Sequence, residues 1–532
     1  MESNWIQFEH EQLAKEFLDS LRYVYQVEGY LELNLVQEEI GTDSSLVILT
    51  TGRQYYWQEL KWRNVPKDFI PDDLPPALSY SDAAYYMDRV MDKAENNGYP
   101  FAQIKVDSIV RSGNKLTGVI DYKAGPLIRW DSVSVSGDSK ARARYIQNLT
   151  GIKPGAPFSQ KEWIAAARIV NHSPYFYLSS SPELSFQIQK ARPNFILKDR
   201  SSNVVDGIIG LIPSENETGK MLITGELNLA LYNLGGKGRD VEVHWQRVNV
   251  ESQTLELAAK ESFVFNSPLD VSLGFNLLKQ DTTFLNRSFL LEFGYHLGRS
   301  GYLRFFTRRQ AGDLISTVAY REVTKLPDVA DYRWNQYGIG WIYNQLDSPY
   351  FPRKGILLTG EVAAGNKKIL ENTGIPSELY VGIDLSSPQY QTQIEFEQHI
   401  YIRPIWGMWL KGSGGFTQNE NLFLNDLYRL GGLKSIRGFN ENFFYAKSYA
   451  YMNVEQRIFF GENSFLMVFA DLGILENPYF AAPIDNPISF GAGLNLDTGT
   501  GVFQFIYGVG KSNLQPLQFS YSRIHFGYLA RF

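Results

Sequence analysis

Three residues in the last quarter of the chain, Arg437, Glu455 and Asp471, have types and positions that suggest charge pairing. Arg437 stands in the run Ile436, Arg437, Gly438, Phe439, inside a segment, 417–448, that lacks strand periodicity. Glu455 and Asp471 belong to the two alternating segments that follow. Ala450, Met452, Val454 and Ile458 form the apolar set of the first; Val468, Ala470 and Leu472 form that of the second. Because side chains alternate along a strand, Asn453, Glu455 and Arg457 share the opposite face of the first strand. Phe469, Asp471 and Gly473 share that of the second. Two carboxylates therefore line one side of neighbouring strands. A carboxylate in a confined space is costly unless paired, and a bidentate guanidinium satisfies it. Arg437 is the candidate donor, and Gly438 lets the loop fold back sharply. The competing reading is a solvated Arg437 and an Asp471 hydrated in a wide pore. The flanking residues favour the pair.

Other chemistry has little support. The six histidines (10, 172, 244, 296, 399 and 525) are scattered without ligand spacing, and there is no cysteine, so neither a thiolate metal site nor a disulfide framework is expected. No Gly-x-Ser-x-Gly elbow occurs. A catalytic role, a metal and a cofactor are not expected. A formal net charge of −6 argues against a nucleic-acid partner.

The elements that would hold these residues fall into two textures. From about residue 199 the chain alternates apolar and polar side chains with period two. In one example Ile394, Phe396, Ile400 and Ile402 oppose Gln393, Glu395, Glu397 and His399. About sixteen such segments run from 203–213 to 516–532, at roughly 21 residues per strand and turn, which suits tilted membrane strands. A soluble sandwich alternates as well, but the number and monotony of these segments favour a barrel. Its aromatic content of 14% suits the girdles of such barrels. No window approaches 18 uninterrupted apolar residues, so no transmembrane helix is expected. The last strand would put Ile524, Phe526, Tyr528, Ala530 and Phe532 on one face.

Residues 1–198 read instead as mixed α/β, with a repeat of βααββ type at about 70 residues. The modules are 1–54 (shortened at its front), 55–126 and 127–198, and the first two share a helix followed by Gly-Tyr and two strands. Nothing from Met1 to Leu18 resembles a signal peptide, so an extracytoplasmic protein would need one absent from this numbering.

The Ile436–Phe439 run, with Phe469, Asp471 and Gly473, resembles the paired loop and strand motifs of the outer-membrane assembly-factor superfamily, the BamA/TamA-type proteins. Residues 347–355 (DSPYFPRKG) and 233–238 (NLGGKG) are similar to further turn motifs of that superfamily. The resemblance implies three tandem POTRA-like modules followed by a sixteen-stranded antiparallel transmembrane β-barrel, 199–532, with an inward-folded loop 417–448. It lies nearest the TamA subfamily. It also implies an outer-membrane location in a Gram-negative bacterium, with the POTRA modules in the periplasm. The expected partners are the lipid bilayer, unfolded β-barrel clients and a periplasmic protein, TamB-like or an assembly lipoprotein, docked on the modules. The implied function is insertion of β-barrel or autotransporter-type clients through a lateral seam between first and last strands. Gly207, Ile208 and Gly210 would form one lip, and Phe526, Tyr528 and Phe532 the other. Gly207, Gly210 and Pro213 are weak ladder formers, which suits a seam. The Arg437 pair would then hold the barrel rigid opposite it. The alternative is a two-partner-type channel that exports its partner through the lumen.

Overall fold

The computed structural model describes residues 6–8, 10–39, 45–213, 221–247, 252–297, 300–348, 352–461, 463–498 and 501–530. The chain divides into two compact units. One comprises residues 1–134, 152–167 and 182–194; the other comprises 135–151, 168–181 and 195–532.

In the first unit, the helix Glu11–Val27 precedes an antiparallel hairpin, Asn34–Glu39 with Ser45–Thr50. The next repeat is fuller. Tyr56–Arg63 runs parallel to Lys115–Lys123, which pairs antiparallel with Gln103–Ser112. The helix Tyr80–Glu95 is fixed at its start by a reciprocal cap between Ser79 and Asp82. It buries Ala83, Val90 and Ala94 against Trp57, Leu60, Ile120 and Tyr122. The Gly-Tyr signature has a physical basis. Gly29 and Gly98 both end a helix at positive φ, +97° and +95°. Each carbonyl then accepts an N–H from the start of the next repeat, Tyr55 N at 2.8 Å and Ile128 N at 2.7 Å.

In the second unit, among the described residues, an antiparallel sheet of seventeen strands runs in sequence order from Val204–Pro213 to Arg523–Ala530, the two-residue piece Ile484–Asp485 included. The segment 516–532 expected as one strand is strand only from Arg523; Phe519–Tyr521 form a single 3-10 turn. The alternation is plainest in Phe465–Glu476. Val468 and Ile474 are 58% and 60% exposed, whereas Asp471 is fully buried. The exposed set is the hydrocarbon-facing wall, and the buried set lines the interior.

Two turns on one rim of the sheet share a design that sequence reading did not anticipate. Asn233 and Phe263 both adopt the left-handed conformation. The N–H of each is accepted by an aspartate seven residues on, Asp240 at 3.0 Å and Asp270 at 3.1 Å. Against the first turn pack residues 139–145: Arg142 N donates to Gly236 O at 2.9 Å, and Tyr175 Oη donates to Asp240 at 2.7 Å. A Cβ on Gly236, whose φ is +72°, would lie 1.9 Å from Lys140 O. Gly236→Ala combines left-handed strain of roughly 1–2 kcal/mol with a backbone clash that no side-chain rotation relieves. The expected result is a folded barrel whose 139–145 segment becomes protease-sensitive, checked by limited proteolysis of the membrane-inserted protein.

Candidate functional site

Between strands Trp406–Gln418 and Ser448–Phe459 the chain folds into the barrel interior and forms its own small hairpin, Tyr428–Leu430 with Phe444–Ala446. The run 436–439 follows the first arm of that hairpin. Ile436 and Phe439 are fully buried, and Arg437 is 4% exposed.

Arg437 is held from three sides. Its Nε and Nη2 donate to the two oxygens of Asp471 at 2.9 and 2.5 Å, a bidentate fork, and its backbone N–H adds a third bond to Asp471 at 2.8 Å. Nη1 donates to Glu455, whose other oxygen accepts from Arg457 Nε at 2.8 Å. The guanidinium lies 3.8 Å from the ring centre of Phe469. Two arginines thus face two carboxylates, and the charges balance. Asn453 Nδ2 donates to Ser435 O at 2.7 Å, tying the loop to the same strand face.

Gly438 stands at φ +81°, and a Cβ there would meet the backbone of Val509 at 2.9 Å and Gly510 N at 3.0 Å. The loop can therefore lie flat on strand Gly501–Lys511 only with glycine at this position. A Cβ on Gly473 would be 2.9 Å from both Ile436 and Pro487, so this glycine makes room for the loop. These contacts correct the position expected for the lock. Strand Gly501–Lys511 is hydrogen-bonded to the last strand, so the Arg437 cluster braces the wall that leads to the first–last junction. It does not brace the wall opposite.

The opposite wall is braced by residues that sequence reading missed. Asp426, in the same loop, pairs with Lys367 of strand Gly355–Leu370, and both side chains are fully buried. Lys367 also donates to Asn421 O at 2.9 Å and lies over Phe423 and Tyr332 at 4.8 and 5.1 Å. Asn425 accepts from Asn286 at 2.9 Å and exchanges bonds with Ala330. The loop is thus a strap fastened at both walls of the lumen. Lys367 had a weak signal, an inward parity on an alternating strand. Asp426 had none, since its partner lies 59 positions away.

At the expected seam, the backbone of Gly207, Ile208 and Gly210 pairs with Leu227, Glu226 and Thr224 of the next strand. Phe526 and Tyr528 pair with Phe505 and Phe503. Val204–Pro213 and Arg523–Ala530 approach within 8 Å between Cα atoms. Among the described residues no ladder joins them, whereas every other pair of successive wall strands is joined. Phe532 and residues 349–351 of the 347–355 motif lie outside the described residues. No cluster of three His, Asp or Glu residues suited to a metal occurs among the described residues, and no described helix is long and apolar enough to cross a membrane.

The Omp85 superfamily domain is matched over residues 233–532. Among solved structures, CdiB from Acinetobacter baumannii aligns with a TM-score of 0.57 at 11% identity, covering 99% of this chain and 100% of that one. CdiB from Escherichia coli gives 0.56 at 12%, covering 98% and 97%. BamA from Haemophilus ducreyi lacking POTRA domains 1–3 gives 0.47 at 14%, covering 89% and 98%. A search of curated proteins finds no match. At these identities the structural likeness is one of fold alone. The match over more than half the chain settles the family: this chain belongs to the Omp85 superfamily, outer-membrane β-barrel proteins of Gram-negative bacteria that insert or secrete other proteins.

Proposed function

We propose that this protein is an assembly factor that inserts β-barrel or autotransporter-type clients into the outer membrane through a lateral seam between its first and last strands. The observation that carries the reading is the first–last junction, which has no ladder among the described residues. Unpaired N–H and C=O groups inside a bilayer are expensive, and an incoming strand satisfies them by adding to the sheet edge. The client then leaves sideways into lipid. The barrel is read as sixteen spanning strands, with residues 1–54, 55–126 and 127–198 as POTRA-like modules that receive a client or a TamB-like periplasmic partner. That module count favours a TamA-type role.

Secretion through the lumen is the competing function, and it requires a clear path. The strap fastened at Asp471, Glu455 and Lys367 crosses that path and disfavours it. Since the chain has no cysteine, a disulfide between I208C and F526C would be the only one. Oxidation is expected to abolish client insertion and reduction to restore it. Undiminished insertion by the oxidised form refutes a lateral seam, and unimpaired passage of an exported protein would point to the lumen.

A further inference from the structure

The barrel's outer wall carries a cluster of cations at the rim away from the turn 233–238. Ladder register aligns Arg287 with Ala311, Ala311 with Arg333, and Arg333 with Lys368. One pleat closer to the membrane centre, Arg309 is aligned with Phe289 on one side and Asn335 on the other. Arg309 is thus diagonal to both Arg287 and Arg333, and Lys368 is directly opposite Arg333.

All four share the parity of the hydrocarbon-facing set. Phe289, Phe293, Phe305, Tyr337, Ile339 and Val362 continue the same strand faces as exposed side chains. The side chains of Arg287 and Arg333 are 45% and 41% exposed. Asp313 accepts from both and so holds the two guanidiniums side by side, the Arg333 bond measuring 2.7 Å. Arg309 and Lys368 have no hydrogen bond or ion pair among the described residues.

This arrangement is unfavourable by itself. Like charges directly opposite one another on a sheet destabilise it, and cations beside an apolar wall lose part of their hydration. Both costs vanish if an anion completes the site. The rim settles which anion. Residues 139–145, in the module read above as periplasmic, pack against the turn 233–238 at the opposite rim, which puts these cations at the level of the outer-leaflet headgroups. Guanidinium forks match phosphate oxygens, and acyl chains would run down over Phe289, Phe305 and Tyr337. We propose that Arg287, Arg309, Arg333 and Lys368 form a lipid-facing binding site for the phosphorylated headgroup of an outer-leaflet lipid. The site is independent of the seam and rests on the proposed outer-membrane placement with the N-terminal modules in the periplasm.

The test is lipid binding by the full-length protein in detergent, followed by native mass spectrometry, with diphosphoryl lipid A as probe. R309Q/K368Q removes two cations that hold no partner among the described residues, so its heat-modifiable gel mobility should stay that of the parent. Its binding should fall about tenfold or more, as expected for two charges at a membrane surface. With the unaltered protein, phosphatidylcholine should bind at least tenfold more weakly than the probe, an arm that needs no variant. Equal binding by R309Q/K368Q, or by phosphatidylcholine, overturns the proposal. Displacement of the probe by equimolar inorganic phosphate also overturns it, since the site would then serve a free anion.

Discussion

Arg437→Met is expected to destabilise the barrel by about 3–5 kcal/mol and to free the strap from the wall beside the seam. The size follows from what is left behind. Asp471 is fully buried and Glu455 is 4% exposed, so deleting the guanidinium strands two carboxylates where water cannot replace it. Arg457 can still serve Glu455, but among the described residues Asp471 keeps only the backbone N–H at position 437. The lost fork and the lost stacking on Phe469 act together. A lower urea midpoint, read by heat-modifiable mobility, would measure the effect. Asp471→Asn in the Arg437→Met background should recover a large part of the loss, since the stranded charge is gone. A single variant as stable as the parent would show that the lumen is wet enough to solvate Asp471, which is the bland reading of the sequence.

Lys367→Met should be comparable in size, again about 3–5 kcal/mol, with a different functional signature. Asp426 sits in a compact cap made with Phe423, Ala330, Ile369, Ile375 and Tyr380, and Lys367 is its one ion-pair partner among the described residues. Methionine fills the volume of the stem and leaves the carboxylate uncompensated. The cap, not the Arg437 cluster, should then loosen. Higher and noisier single-channel conductance in planar bilayers is the expected readout, with the double variant K367M/D426L returning it towards the parent, because replacing a buried ion pair by apolar groups of similar volume is frequently tolerated. Parental conductance in K367M would mean that the strap is held by its other contacts alone.

Period-two alternation was enough to mark the wall strands, because hydrocarbon outside and a polar interior impose opposite demands on successive residues, and a one-residue slip would invert both. The same parity put Glu455 and Asp471 on one interior face, and the Gly-Tyr repeat announced the turn that ends two helices at positive φ. What period and composition could not contain were partners distant in sequence. Lys367 and Asp426, the two turn-closing aspartates and the side of the barrel on which Arg437 is anchored depend on which strands become neighbours when the sheet curls. The four cations of the outer rim are equally invisible along the chain, since only ladder register brings residues 287, 309, 333 and 368 together. Alternation is local and so is written in the sequence; register and closure are long-range, and only the folded sheet decided them.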